Sequence, residues 1–238
     1  MVQTFVIHLQ NSTARAPLVD ALRDRLPNAI VLDAVDGRLM EQSARDAVCK
    51  PSLHKPTYPF GMMPSEIGCF LSHRKAWTEI ANSDAPYGFV AEDDVVLGPN
   101  FETARALAEA HANPTQLIRF PMHARETPEQ VIAEQDGVTL FRPKVIGLTA
   151  ALYILGRDAA QELLDRSQKF DRPVDTWLQM RWKTNVASLT LWPADIISAA
   201  PAHGGSTIQA KKSAWAEISR GWKRARYRSA IKKLSEKP

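Results

Sequence analysis

The chain of 238 residues has only two cysteines, Cys49 and Cys69, and neither belongs to a CxxC pair. No zinc ribbon or disulfide framework can be built from them, and free thiols in a reducing compartment are the expectation. No apolar run approaches the roughly 20 residues needed to span a bilayer. Met1 leads within a few residues into the strand-like Thr4-Phe-Val-Ile-His-Leu9, without a basic leader or small-residue cleavage site, so a cytoplasmic location is expected. Glycine-rich phosphate cradles are missing too, both the GxGxxG of dinucleotide folds and the P-loop, as is the GxSxG elbow of hydrolases. Those three classes are disfavoured.

What is present is ordinary for a folded domain: 45% hydrophobic and 24% charged residues, which excludes disordered and fibrous classes. Charge is unevenly placed. Residues 211–238 carry ten basic side chains against Glu217 and Glu236, a local +8 that leaves −4 for the rest of a chain whose net charge is +4. Residues 1–209 are therefore read as one domain and residues 210–238 as a basic amphipathic helical tail. Trp215, Ile218, Trp222, Ile231 and Leu234 lie among its charges, and Gly221 is expected to interrupt it. Such a helix suits an anionic membrane surface; packing against the mildly acidic body is the rival reading, and no nucleic-acid partner is expected.

Strand and helix patterns alternate along the body. Residues 4–9 read as a buried strand, a helix capped from Asn11-Ser12-Thr13 runs through Leu22, and Ala29-Ile-Val-Leu32 is a second strand, together a βαβ unit. Its carboxyl-end residues His8, Asn11 and Arg15, and the Asp36-Gly37 turn, fall where ligands bind in such sheets. Residues 40–63 read as a loop-rich excursion. Ser65 is expected to cap a helix carrying Ile67, Phe70, His73 and Trp77, with His73 read as a polar or core-edge residue. Further strands are expected near residues 116–120, 138–141, 151–155 and 187–192, with a polar loop between the first two and one helix following Asp175. The fold class is α/β with a mainly parallel sheet.

The chain's most informative stretch is Tyr87-Gly-Phe-Val-Ala-Glu92-Asp93-Asp94-Val-Val-Leu97. Three adjacent carboxylates between apolar neighbours repel one another and lose hydration, which is costly unless a cation shares them. A solvated acidic turn would account for the triplet alone. Oxygen ligands at a strand end, leaving coordination positions for phosphate oxygens, instead suggest Mg²⁺ or Mn²⁺ and a nucleotide, and an imidazole ligand would favour Mn²⁺.

Ser65-Glu-Ile-Gly-Cys-Phe-Leu-Ser-His73, then Trp77, then Val90-Ala-Glu-Asp-Asp94 resembles the signature of glycosyltransferase family 25, the lipopolysaccharide and lipooligosaccharide glycosyltransferases. Ile7-His8-Leu9, the Ala34-Val-Asp36-Gly37 turn, Pro173-Val-Asp175 and Ser206-Thr-Ile208 follow in the order the family shows; Leu155-Gly156 stands where a serine is often found. The resemblance implies a GT-A-like fold, a UDP-sugar donor, a saccharide or glycolipid acceptor and transfer with inversion, and many bacterial members are similar to β-galactosyltransferases. It places Glu92-Asp93-Asp94 at the DxD-type motif, with Asp94 as a metal ligand and Glu92 or Asp93 on ribose or metal-bound water. His203 is the candidate second ligand, Asp175 the candidate base, and His8, Asn11, Arg15, Asp36 and Gly37 border the nucleotide. Two other classes stay open: a metal-dependent nucleotide-sugar phosphohydrolase, and a non-catalytic membrane-surface binding protein.

Overall fold

In the computed structural model, which describes residues 1–199 and 214–236, the N-terminal apolar run forms strand β1 (Thr4–His8), buried along its whole length. One 3-10 turn (Thr13–Arg15) leads into helix α1 (Ala16–Arg25), and β2 (Ala29–Asp33) returns parallel to β1. The expected βαβ unit is there, but the helix starts at a proline in its first turn and no side chain caps it. The excursion that follows contains a short helix, α2 (Gln42–Val48).

Helix α3 (Pro64–Ala81) begins one residue before the expected cap. Met63 is the N-cap, Pro64 opens the helix, and the Glu66 carboxylate accepts the Met63 N–H at 2.7 Å. Then come β3 (Tyr87–Glu92), β4 (Val95–Leu97), α4 (Phe101–His111) and β5 (Gln116–Arg119). The loop expected after β5 holds a further strand, β6 (Pro128–Gln135), joined to β7 (Val138–Pro143) by Asp136-Gly137, both at positive φ (49° and 79°). Asp-Gly is the pair that two-residue hairpins favour, because both central residues need that conformation.

The chain continues through β8 (Leu152–Gly156), α5 (Arg157–Arg166), α6 (Val174–Leu178), α7 (Arg181–Thr184), β9 (Ala187–Trp192), β10 (Ile196–Ser198) and α8 (Ala214–Ser235). Two expectations are corrected here. The helix after Asp175 is broken in two between Leu178 and Arg181, and α8 runs through Gly221 without interruption.

The main sheet has the order β2-β1-β3-β8-β5-β9-β7-β6, and β4 pairs with β10 in a small second sheet. β8 runs antiparallel to β3 and β5, and β7 antiparallel to β9 and β6. The other six strands share one direction. Side chains alternate across the sheet and feed two cores: Phe5, Ile7, Val90 and Tyr153 pack with α3 and α5, while Val6, Phe89, Ala91 and Ile154 pack with α1 and α4.

Helix α8 docks on the first of these cores. Ile231 is buried within it, and the Tyr227 hydroxyl accepts a hydrogen bond from Arg172 at 2.6 Å. Arg172 is itself buried, paired with Asp171 and donating to the His54 and Pro56 carbonyls, so one guanidinium ties the excursion, the approach to α6 and α8 together. Tyr58 packs edge-on against Tyr227.

Burial pushes the phenols of Tyr58 and Tyr227 up from 10.0 to about 12. In the folded protein they keep protons that the unfolded chain loses above pH ~10, so their contribution is complete below that pH and is lost as pH rises toward 12. The thermal midpoint is expected to fall over this window, and to fall less steeply in Tyr227→Phe. Equal slopes in wild type and variant would refute this.

Candidate functional site

β1, β2 and β3 are adjacent and parallel, with Ile7 opposite Glu92 and His8 opposite Asp33, so their carboxyl ends form one edge. β8, running the other way, starts there too: the Ala151 carbonyl accepts the Glu92 N–H at 2.7 Å. A cleft of about 620 Å³ opens at this edge, lined among others by Asn11, Arg15, Asp36, Gly37, Glu92 and Asp93. A second, of about 420 Å³, is lined by Glu66, Glu92, Asp94, Thr149, Asp175 and Ser198. Ser65, Cys69 and Glu92 border both, so the two cavities meet at the Glu92 side chain.

The wall of the first cleft depends on a close backbone approach. A Cβ on Gly37 would lie 1.8 Å from the Pro64 carbonyl oxygen, and one on Gly68 would lie 2.3 Å from that of Val35. Only glycine fits at either place. Ser72 adds a tether, accepting the Val35 N–H at 2.8 Å and donating to the Gly68 carbonyl. The turn at residues 34–38 is thereby laid against the first turns of α3. Asp36 forks onto Arg38, whose hydrogen bonds hold the Asp36 carboxyl below its usual value.

The three acids have different surroundings. Asp93 is buried, with Oδ2 accepting from His8 Nδ1 at 2.7 Å and Oδ1 accepting from Arg15 at 2.5 Å. His8 does not line the cleft; it lies behind Asp93. Both Asp93 oxygens already serve a cationic or imidazole partner, which fits an anchor better than a ribose or metal contact.

Glu92 Oε1 accepts from His73 Nε2 at 3.2 Å and lies 3.8 Å from the Cys69 thiol. Burial works to raise its pKa, but the hydrogen bond from His73, the charge of Arg15 and the Cys69 contact work against it, and the carboxyl lies below its ordinary value. Burial, and next the charge of Glu92, push the Cys69 thiol well up, so it keeps the proton it donates.

Asp94 is the acid left short of partners. Ser198 Oγ reaches its Oδ2 at 3.2 Å, whereas Oδ1 is buried with no hydrogen-bond partner among the described residues. Burial and then the Glu92 charge raise its pKa. An orphaned, buried carboxylate oxygen in an acidic cluster is the arrangement a divalent cation would complete, so the donor set fits Mn²⁺ or Mg²⁺. His203, the expected second ligand, lies outside the described residues.

Asp175 faces the second cavity from the first turn of α6, its Oδ1 accepting both the N–H and the hydroxyl of Thr176. Burial raises its pKa. Arg172 and Asp171 fix the segment before it, and a buried fork from Arg119 to Glu126 fixes the segment before Thr149, since Glu126 Oε1 accepts the Gly147 N–H at 2.8 Å.

Of the residues singled out in the sequence, the structure brings Asn11, Arg15, Asp36, Gly37 and the acid triplet to one edge and Asp175 to the adjoining cavity, and sets His8 behind Asp93; Cys69 and the contact of His73 with Glu92 were not expected. Their signal was present: four residues apart on α3, they share a helix face.

A family model described as glycosyltransferase family 25 (LPS biosynthesis protein) matches residues 1–178, and the chain belongs to that family. It is 28% identical over 242 residues to the probable inactive glycosyltransferase 25 family member 3 of Bos taurus, covering 92% of this chain and 40% of that protein. It is 30% identical over 105 residues to the lipooligosaccharide biosynthesis protein lic2B of Haemophilus influenzae, covering 41% and 40%. It is 30% identical over 193 residues to procollagen galactosyltransferase 2 of Homo sapiens, covering 76% and 30%. The chain therefore spans less than half the length of these curated relatives. Among solved structures it is similar to the inositol-1-phosphate CTP transferase from T. maritima at a TM-score of 0.38 and 11% identity, covering 87% of this chain and 98% of that one, too slight a likeness to carry an argument.

Asp93→Ala would leave His8 and Arg15 unpaired at a largely buried position, and is expected to cost about 3 kcal/mol. Asp93→Asn, which keeps an acceptor for one partner, should cost less. Urea unfolding that finds both variants as stable as wild type would remove Asp93 as the anchor.

Proposed function

We propose that this chain is an inverting hexosyltransferase that moves a sugar, galactose as the first candidate, from a UDP-sugar to a saccharide or glycolipid acceptor such as lipopolysaccharide core, on a GT-A-like fold. The observation that carries the reading is the orphaned, buried oxygen of Asp94, a residue that lines the same cavity as Asp175, with a separate cleft lined by Arg15 and Asp36. Two cavities that meet at one carboxylate suit a reaction with two substrates.

Nucleotide and diphosphate would occupy the first cleft, where Arg15 and Arg38 supply the positive charge and Asn11 hydrogen bonds. Asp94, with His203 as proposed partner, would hold Mn²⁺ or Mg²⁺, which when bound neutralises charge developing on the departing diphosphate. The acceptor hydroxyl would enter the second cavity, and Asp175 would take its proton as its oxygen bonds the anomeric carbon and UDP leaves with the electron pair of the broken bond. Burial raises the Asp175 pKa, which makes its carboxylate a stronger base than that of an ordinary aspartate.

The likeness to relatives named inactive supports a second reading, a donor-binding chain without turnover. Donor consumption with and without a saccharide acceptor separates the two readings, and also separates transfer from hydrolysis.

Asp94→Asn and chelation of wild type should each abolish transfer while the fold persists; full turnover in EDTA would take the metal out of the reaction. Asp175→Asn should lower kcat by at least about 100-fold with little change in donor KM. The wild-type rate should rise with pH through a value above that of an ordinary aspartate, since only the ionised carboxylate accepts a proton. An unchanged rate in Asp175→Asn would assign the base elsewhere.

No described helix is long and apolar enough to cross a membrane. Arg220 and Arg224 lie over the Phe60 ring on the docked side of α8, and its outer side presents Lys223, Arg226, Arg228, Lys232 and Lys233 with Trp222, which is 75% exposed. We assign this face to an anionic membrane surface, where a glycolipid acceptor would be found. Flotation with phosphatidylglycerol vesicles should be salt-sensitive and weakened in Trp222→Ala; equal flotation with neutral vesicles would refute it.

A further inference from the structure

The cluster behind Glu92 is a chain of hydrogen bonds with one direction. Trp77 Nε1 lies 2.7 Å from the Tyr153 hydroxyl, that hydroxyl lies 2.8 Å from His73 Nδ1, and His73 Nε2 lies 3.2 Å from Glu92 Oε1. Trp77, His73 and Tyr153 are all fully buried. An indole N–H can only donate, so the Tyr153 oxygen accepts from Trp77. The one phenol proton then points to His73 Nδ1, its remaining partner, and the ring proton resides on Nε2, where it is donated to Glu92.

The opposite polarity fails on the same count. If Nδ1 carried the proton and donated it to Tyr153, the phenol hydrogen would be stranded where water does not reach, and a buried polar group without a partner is costly. That cost also decides a competing use of the cluster. Cys69 Sγ, His73 Nε2 and Glu92 Oε1 lie within 4.8 Å of one another, a donor set that a zinc-like ion could take. Ligation through Nε2 would move the ring proton to Nδ1 and strand the phenol hydrogen. The donor-only indole at the far end of the chain therefore favours a protonated Nε2 over a metal-bound one.

At its near end the chain reaches the junction of the two cavities. His73 and Cys69, one helical turn apart on α3, both address Glu92 Oε1. No hydrogen bond among the described residues occupies Oε2, and the side chain is 31% exposed.

We propose that Trp77, Tyr153 and His73 form a positioning relay that fixes Glu92 with Oε1 engaged and Oε2 presented to the junction, as the acceptor for a hydroxyl of the bound nucleotide sugar. This rests on the donor-binding reading above. Glu92 is the group that touches the substrate, and the other three act through it. The relay explains why a tryptophan, a tyrosine and a histidine bury polar atoms in an otherwise apolar core: each atom is satisfied only by the next, and the last is held by a carboxylate.

Nitrogen NMR of protein with isotope-labelled histidine, with the His73→Gln variant used to assign the signal, is expected to show His73 as the Nε2–H tautomer with Nδ1 accepting. His73→Leu removes the donor to Glu92 and should raise the KM for UDP-galactose about tenfold with a smaller change in kcat. His73→Gln, whose amide N–H can reach the same carboxylate, should recover most of that loss, and Tyr153→Phe should fall between them. An Nδ1–H tautomer, or equal KM values in His73→Leu and His73→Gln, would overturn the relay. The tautomer is read without donor, so a wild type that consumes no UDP-sugar counts against the transferase reading, whereas a wrong tautomer counts against the relay.

Discussion

The Asp93 carboxylate joins three parts of the chain that are far apart in sequence: the end of β1 through His8, the turn before α1 through Arg15, and its own turn after β3. Adjacent carboxylates cannot all remain ionised close together unless charge is supplied. Asp93 takes the fixed positive charge available, and in doing so sets the backbone from which its two neighbours project. Glu92 is turned to α3, where His73 and Cys69 satisfy one oxygen; Asp94 is turned to β10, where Ser198 satisfies another. The oxygen without a partner among the described residues, Asp94 Oδ1, belongs to a side chain that lines the same cavity as Asp175.

The rest of the site follows from how its walls are held. Gly37 and Gly68 let two backbones come together where no side chain would fit, and that contact makes the cleft next to Arg15. Buried guanidiniums hold segments that lead into the second cavity: Arg119 through Glu126 to Gly147, shortly before Thr149, and Arg172 through Asp171 to the segment before Asp175. In each case the charge is fully paired, which is the condition under which a buried ion fixes geometry rather than simply costing desolvation. The acids that line the cavities are thus carried on strand and helix ends, while their supports lie in the core.

Much of this was legible in the sequence, because it depends on local pattern. The βαβ unit follows from apolar periodicity, the ligand edge from the rule that parallel strands bind at their carboxyl ends, and the acid triplet from its cost between apolar neighbours. What was not legible depends on contacts between distant residues. β6 is an exposed edge strand that opens on Pro128 and shifts register twice, so its residues do not alternate and read as loop until β7 is there to pair with them. Helix α8 passes through Gly221 although glycine disfavours helix, since the tail is held by Ile231 and Tyr227 against the core. His73 reads as an ordinary polar or core-edge histidine until Tyr153, 80 residues later, supplies the proton that orients its ring.

Membership of glycosyltransferase family 25 joins this chain to relatives with opposite names, inactive family members and a procollagen galactosyltransferase among them. Catalytic competence has therefore to be read from the site rather than from the family, and on the proposed reading it turns on whether a cation completes Asp94. Anomalous diffraction from crystals grown with Mn²⁺ and UDP tests that most directly. A manganese peak within coordination distance of Asp94 Oδ1, beside the UDP diphosphate, is the predicted result. UDP bound with no metal at Asp94, or a peak at Cys69, His73 and Glu92 instead, would contradict it.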